Sequence, residues 1–209
     1  MMPSLTLAAR IERWPIAGGF TISRGAKTEA AVIVAEVSRQ GINGEAIVGR
    51  GECVPYARYG ETPEATLEAI LGLRDAFRDG LDRQALQSRI PAGAARNALD
   101  CALWDFEAKV AKKRIWDVLG RPEPRPLTTA YTISLGTPER MAEATARAAH
   151  RPLLKIKLGG DGDEARIAAV RRAAPDAELI IDANEAWTGG NLERHLAACA
   201  EAGVTMIEQ

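Results

Sequence analysis

The sequence predicts an α+β unit followed by a run of βα repeats that lay parallel strands side by side. Three observations predict it. Strand signals with a Gly/Asn turn between two of them come first, and strongly periodic helices follow. After a proline-rich break, short apolar strands alternate with helices, beginning at residues 129, 153, 178 and 204. That alternation is the pattern of strands joined by helical crossovers.

Residues 4–13 (SLTLAARIER) read as a strand and 29–37 (EAAVIVAEV) as a stronger one. The stretch between them, PIAGGFTISRGAKT, reads as a long, mobile Gly-rich loop, a kind that is often functional. Gly41-Ile42-Asn43-Gly44 turns the chain into 45–53 (EAIVGRGEC), which makes an antiparallel hairpin. Thr62-Pro63-Glu64 opens a helix with an N-cap and a proline in the first turn. The run at 92–113 places Ala95, Leu99, Ala102, Leu103, Phe106 and Val110 on one face of a second helix, and IWDVLG adds a short piece. RPEPRPL at 121–127 holds three prolines in seven residues and marks the domain boundary. The expected division is therefore 1–120, a linker at 121–127, and 128–209.

Beyond the linker, TAYTISL precedes helix PERMAEATARAAH, LLKIKL precedes DEARIAAVRRAA, ELIIDA precedes NLERHLAACAEA, and VTMIE is the fourth strand. Four such strands suit a Rossmann-like sheet or half of a (β/α)₈ barrel.

The chain has 209 residues, 46% hydrophobic and 26% charged, with a formal net charge of −1. Mixed charge of this kind argues against nucleic-acid and anionic-membrane partners. Three scattered cysteines with no CxxC argue against a disulfide framework or zinc site, and His150 and His195 read as surface residues. MMPSLTLAAR lacks the grammar of an export signal and no stretch reaches the length of a membrane span, so a cytoplasmic location is expected.

Chemistry in βα repeats gathers at the C-terminal strand ends. There the sequence places Lys155 and Lys157, then Asp182, then Glu208. The two lysines stand one residue apart, so in a strand both ammonium groups face one way while Leu154, Ile156 and Leu158 face the other. Carboxylates on neighbouring strands suit a hard cation such as Mg²⁺. Two like charges near each other and near a metal are expected to lose proton affinity, which would make a lysine a general base near neutral pH. The combination suggests proton abstraction beside a carboxylate, a use of Lys and Mg²⁺ known for one superfamily.

KIK at 155–157, IDAN at 181–184 and IEQ at 207–209, with GECVPYARYGET at 51–62 and NALDCALWDFEAK at 97–109, resemble the enolase superfamily. Within it the sequence is similar to the muconate-lactonizing-enzyme subgroup, and most to dipeptide epimerases of the L-Ala-D/L-Glu type. The resemblance implies an α+β capping domain, with 51–62 as the loop folding over the active site. It implies next the first half of a (β/α) barrel (TIM-like), truncated after the fourth barrel strand. It implies Lys157 as one acid/base group at the substrate α-carbon, with Lys155 tuning it and contacting the substrate carboxylate. Asp182 and Glu208 become ligands of Mg²⁺ or another divalent cation such as Mn²⁺, and Asn184 supports the metal strand by hydrogen bonding. Arg24 becomes a candidate for reading an acidic side chain, weighed evenly against an ordinary surface arginine. The partner implied is a dipeptide or other small carboxylate, with homo-oligomerisation left open.

In the family a third metal ligand and an opposing lysine lie on the fifth and sixth strands, and neither is within these 209 residues. The resemblance thus implies an N-terminal portion with little or no turnover by itself. Muconate cycloisomerase and o-succinylbenzoate synthase share the same strand residues and remain alternatives, as does a non-catalytic half-barrel module. GGDGDEA fits no phosphate-binding fingerprint and reads as a βα turn with Asp caps.

Overall fold

Branched and small apolar residues alternate through AAVIVAEV, and this stretch becomes the central strand of the first sheet. The computed structural model describes residues 4–41 and 44–209. Two compact units result, one built from the chain up to Pro15 plus Glu29–Arg125, the other from Ile16–Thr28 plus Pro126–Gln209.

The first sheet has the order β1 (Thr6–Ile22), β2 (Gly25–Gln40), β3 (Ala46–Cys53). Strands β2 and β3 are antiparallel, from Ile33 opposite Cys53 to Gln40 opposite Ala46. The central pair of the expected turn, Ile42 and Asn43, lies outside the described residues. The Gly-rich stretch at 15–28 is not a long loop. It is a continuous β-ribbon closed by the two residues Ser23 and Arg24. Gly18 and Gly19 both take φ +74, so they kink the strand without ending it.

Helices follow as α1 (Pro63–Leu71), α2 (Arg74–Arg78), α3 (Arg83–Arg89), α4 (Ala94–Ala111) and α5 (Ile115–Val118). Thr62 caps α1 through the Ala65 N–H, as its sequence predicts. The inner face of α4 carries Ala98, Leu99, Ala102, Leu103 and Phe106, which pack with Ile33, Ala35, Val37, Ile70, Phe77 and Leu86. Val110, expected on that face, is exposed.

Gly49 and Gly51 explain how α4 sits on β3. They share the buried face of β3 with Cys53, and a Cβ on Gly51 would overlap the Ala98 carbonyl oxygen, as one on Gly49 would overlap that of Ala102. The close approach lets α4 side chains satisfy the outer edge of β3. Asp105 accepts the Arg50 N–H at 2.8 Å, and Lys109 Nζ donates to the Val48 carbonyl at 2.8 Å. Covering an edge in this way is one of the devices that discourage strand pairing with another chain. Gly51→Ala is therefore expected to cost about 2–3 kcal/mol by overpacking. Urea denaturation checks this, and an unshifted midpoint would contradict the close-contact account.

In the second unit β4 (Tyr131–Ile133), α6 (Pro138–Ala148), β5 (Leu153–Lys157), α7 (Asp163–Ala173), β6 (Glu178–Asp182), α8 (Leu192–Glu201) and β7 (Val204–Glu208) alternate. The strands pair in parallel in their chain order, β4-β5-β6-β7. A Rossmann-like sheet reverses its order at a switch point, whereas barrel strands add consecutively. This sheet does the latter. Leu154, Ile156, Leu158, Leu179 and Ile181 are buried with Met141, Ile167 and Val170 of the helices, leaving the alternate positions of β5 for the lysines. His195 is not a surface residue. It is fully buried on the inner side of α8 and stacks on Trp187 with ring centroids 4.8 Å apart, while His150 is exposed. Among the described residues no helix is long and apolar enough to cross a membrane.

Candidate active site

Parallel pairing brings the charged strand ends to one level. Lys157 stands opposite Asp182, and Asp182 opposite Glu208. The Lys157 ammonium donates to Asp182 Oδ2. Lys155 Nζ reaches Glu208 Oε2 at 2.5 Å and Asp182 Oδ2 at 3.1 Å. Lys157 and Asp182 are only 8% and 2% exposed, so this is a nearly buried ionic cluster with Glu208 at its open side. The Lys157 ammonium also lies 5.6 Å from the centroid of the Phe20 ring, a cation–π distance.

At Lys155 the neighbouring like charge does not decide the proton affinity. For Lys155, burial pulls the pKa down, but hydrogen bonds to Glu208 and Asp182 together outweigh it and raise the pKa above its ordinary 10.5. The expected loss of proton affinity is thus reversed at Lys155, because carboxylates of the next two strands lie within hydrogen-bond reach of its ammonium. For Asp182, burial pushes upward, yet hydrogen bonds from Lys157, Lys155 and the Asn184 N–H hold it below its ordinary 3.8.

These shifts set a pH window for metal-free stability. Asp182, with its folded pKa lowered, contributes fully above 3.8 and loses that contribution as pH falls through its folded value. Lys155, with its folded pKa raised, contributes fully below 10.5 and loses that as pH rises through its folded value. The cluster's contribution is expected to be level between those limits and to fall on both sides. Unfolding midpoints measured against pH in chelator check it, and Asp182→Asn should flatten the acid limb.

The loop after β6 takes an unusual backbone path. Asn184 and Glu185 both have positive φ, 49° and 66°, in a region that Asn tolerates better than most residues. The contact Asn184 makes with the aspartate strand runs through its backbone: its N–H donates to Asp182 Oδ1 at 2.9 Å. Its side-chain Oδ1 is buried without a hydrogen-bond partner. The ribbon tip meets this loop. Ser23 Oγ donates to the Asn184 carbonyl at 2.8 Å, and Arg24 Nη1 lies 3.3 Å from the same oxygen and 3.2 Å from Glu185 Oε1.

The sequence-expected residues thus form one constellation within the second unit: Lys155, Lys157, Asp182 and Glu208 in direct ion pairs, with Asn184 and Arg24 one loop away. Sequence reasoning missed Phe20 and Ser23. Both sat in a stretch read as loop, and period-two alternation in FTIS is the signal that would have placed them.

Among the described residues no three His, Cys, Asp or Glu side chains form a group that could hold a metal ion. Asp182 and Glu208 nevertheless suit a hard divalent cation as two of its oxygen donors, being carboxylates at paired positions on adjacent strands. Their shared neighbour is the Lys155 ammonium, so the position between them already attracts a cation.

A sheet of consecutively added parallel strands with this Lys-x-Lys, Asp, Glu series at its strand ends defines a member of the enolase superfamily. The chain belongs to the mandelate racemase / muconate lactonizing enzyme family, whose N-terminal domain matches residues 4–120, with an enolase C-terminal domain-like match over 139–209. L-Ala-D/L-Glu epimerase of Escherichia coli (strain K12) is 42% identical over 200 residues, which are 95% of this chain and 61% of that protein. An enolase family member from Agrobacterium tumefaciens, with homology to dipeptide epimerases and solved with sodium and L-Ala-L-Glu, superposes with TM-score 0.90 at 52% identity. That match covers 98% of this chain and 61% of the other. A dipeptide epimerase from Enterococcus faecalis V583, complexed with Mg and L-Leu-L-Tyr, gives TM-score 0.84 at 28% identity over 99% of this chain and 61% of its own. The chain therefore spans 61% of the length of these relatives. Over that span it has their α+β domain and the first four strands of their (β/α) barrel.

Proposed function

We propose that this chain carries one side of the active site of a dipeptide epimerase that acts on L-Ala-L-Glu-type substrates. The observation that carries the reading is the placement of Lys157, nearly buried and paired with Asp182, at the level where Asp182 and Glu208 stand side by side. Identity to the Escherichia coli and Agrobacterium tumefaciens proteins supports the substrate class.

Asp182 and Glu208 would hold Mg²⁺, which when bound stabilises the negative charge that develops on the substrate carboxylate. Lys157 takes the α-proton on one face of the substrate and returns it there. Lys155 meets the substrate carboxylate with its raised proton affinity, as a fixed positive charge rather than a base. Arg24, at the ribbon tip against the loop after β6, reads the acidic side chain of the second residue. Both lysines stand on one face of β5, so they serve one face of the α-carbon. Inversion needs a second acid/base group on the opposite face.

The test is α-deuterium incorporation in D₂O across a panel of dipeptides and cyclic acids. This chain is compared with a polypeptide of its relatives' full length. The longer protein is expected to exchange L-Ala-L-Glu and the 209-residue chain to show little or no turnover. Preference for a cyclic acid would move the reading to a cycloisomerase, and brisk inversion by the shorter chain would refute the one-sided site. Arg24→Ala in the longer protein is expected to lower kcat/KM about tenfold or more for acidic dipeptides, the worth of a charge-assisted pair. Apolar dipeptides should change little. Equal loss on both would remove Arg24 from specificity.

A further inference from the structure

Three loops leave the C-terminal ends of β4, β5 and β6, and a single chain of hydrogen bonds joins them to one another and to Gln209 after β7. Its centre is Asp163, the first residue of α7, which is fully buried. Its carboxylate accepts the N–H groups of Gly159 and Gly160 after β5, with Oδ2 2.7 Å from the Gly160 nitrogen. Oδ2 also accepts the indole Nε1–H of Trp187, in the loop after β6, at 2.8 Å. Arg166 donates to Asp163 Oδ1 at 2.8 Å and, through Nε, to the Gly136 carbonyl after β4 at 2.9 Å. The Trp187 carbonyl accepts Gln209 Nε2, after β7, at 2.7 Å. The sequence reading of Asp163 as a helix cap is corrected here: Gly162 is the cap residue, and Asp163 ties loops together.

The loops are also packed close. Gly160 sits at φ +102, where a Cβ would lie 3.3 Å from the Ala186 carbonyl oxygen, and a Cβ on Gly159 would press into Leu135. Trp187 is buried against His195. Three residues before Trp187, the Asn184 N–H holds Asp182 Oδ1. A buried carboxylate needs hydrogen-bond donors in place of its water, and here they come from the turn after β5, from the Trp187 indole in the loop after β6 and from Arg166 of α7.

We propose that Asp163 and Trp187 are positioning residues, which fix the turn after Lys157 and the loop after Asp182 relative to each other. The proposal rests on the reading of Lys157 and Asp182 as site residues, but its test involves no substrate. Trp187→Phe keeps an aromatic ring against His195 and removes the indole donor. Asp163→Asn keeps the shape and weakens the acceptor. The full 209-residue chain is followed by amide hydrogen exchange and by the ε-methylene resonances of Lys157. In Trp187→Phe, exchange at Asn184, Gly159 and Gly160 should quicken at least about tenfold. Sheet amides of Ile156 and Ile181 should change less than about threefold, and the Lys157 resonances should move. Asp163→Asn should show the same pattern more strongly; if it does not fold, Trp187→Phe decides alone. Uniform acceleration through the sheet, unchanged exchange at Asn184, or unmoved Lys157 resonances would each overturn the proposal in favour of plain core packing. A wrong substrate assignment would leave all of these readouts as they are.

Discussion

Lys157→Ala, made in a polypeptide of the relatives' full length, is expected to reduce α-proton exchange about 10²–10⁴-fold, the usual worth of a positioned general acid/base. The loss should fall on kcat more than on KM, because the proposed role sets the side chain against the α-hydrogen rather than the groups that anchor the substrate. Lys157→Arg is the sharper variant. It keeps the positive charge beside Asp182 but carries a guanidinium that does not deprotonate. If Lys157 acts only as a counter-ion, Arg restores most of the activity; if it moves the proton, Arg is nearly as poor as Ala. Lys155→Arg gives the internal comparison, because a fixed charge at that position should tolerate the change better. Exchange measured in D₂O for the three variants separates the roles, and full activity in Lys157→Arg would end the acid/base assignment.

Much of this site was legible because strand periodicity is a strict rule. Once KIK was read as a strand, both lysines had to share a face. Once the βα spacing was read, Asp182 and Glu208 had to arrive at neighbouring strand ends. What sequence could not supply was distance. The like-charge argument saw Lys155 beside Lys157 and predicted a lowered proton affinity. It could not weigh Asp182 and Glu208, whose oxygens lie within hydrogen-bond reach of Lys155 and reverse the sign. His195 was misread for a related reason. Glu193 and Arg194 just before it suggested a polar face, but its ring stacks on buried Trp187, a loop residue eight positions earlier. At 15–28, glycines that normally punctuate loops serve as kinks inside a long ribbon. Gly49 and Gly51, read simply as strand glycines, are the positions where a helix backbone comes too close for any side chain.

Asp182→Asn is expected to destabilise the metal-free chain by about 3–5 kcal/mol, the cost of removing one partner from a buried charge pair. Asp182 is the hub of the cluster: its Oδ2 accepts from both lysines and its Oδ1 from the Asn184 N–H. The amide keeps the volume and one acceptor oxygen, so lost packing contributes little. What changes is that Lys157, with little access to water, loses its anion, while Glu208, more than half exposed, neutralises only Lys155. Glu208→Gln should therefore cost much less, under about 1 kcal/mol, as solvent screens that pair. The contrast between two carboxylates that share a proposed metal role is what makes the measurement informative. Urea unfolding in chelator gives both numbers. Similar costs for the two variants would mean that burial does not govern this cluster. A difference of the expected size would make Asp182 a residue whose charge the fold needs even without a cation.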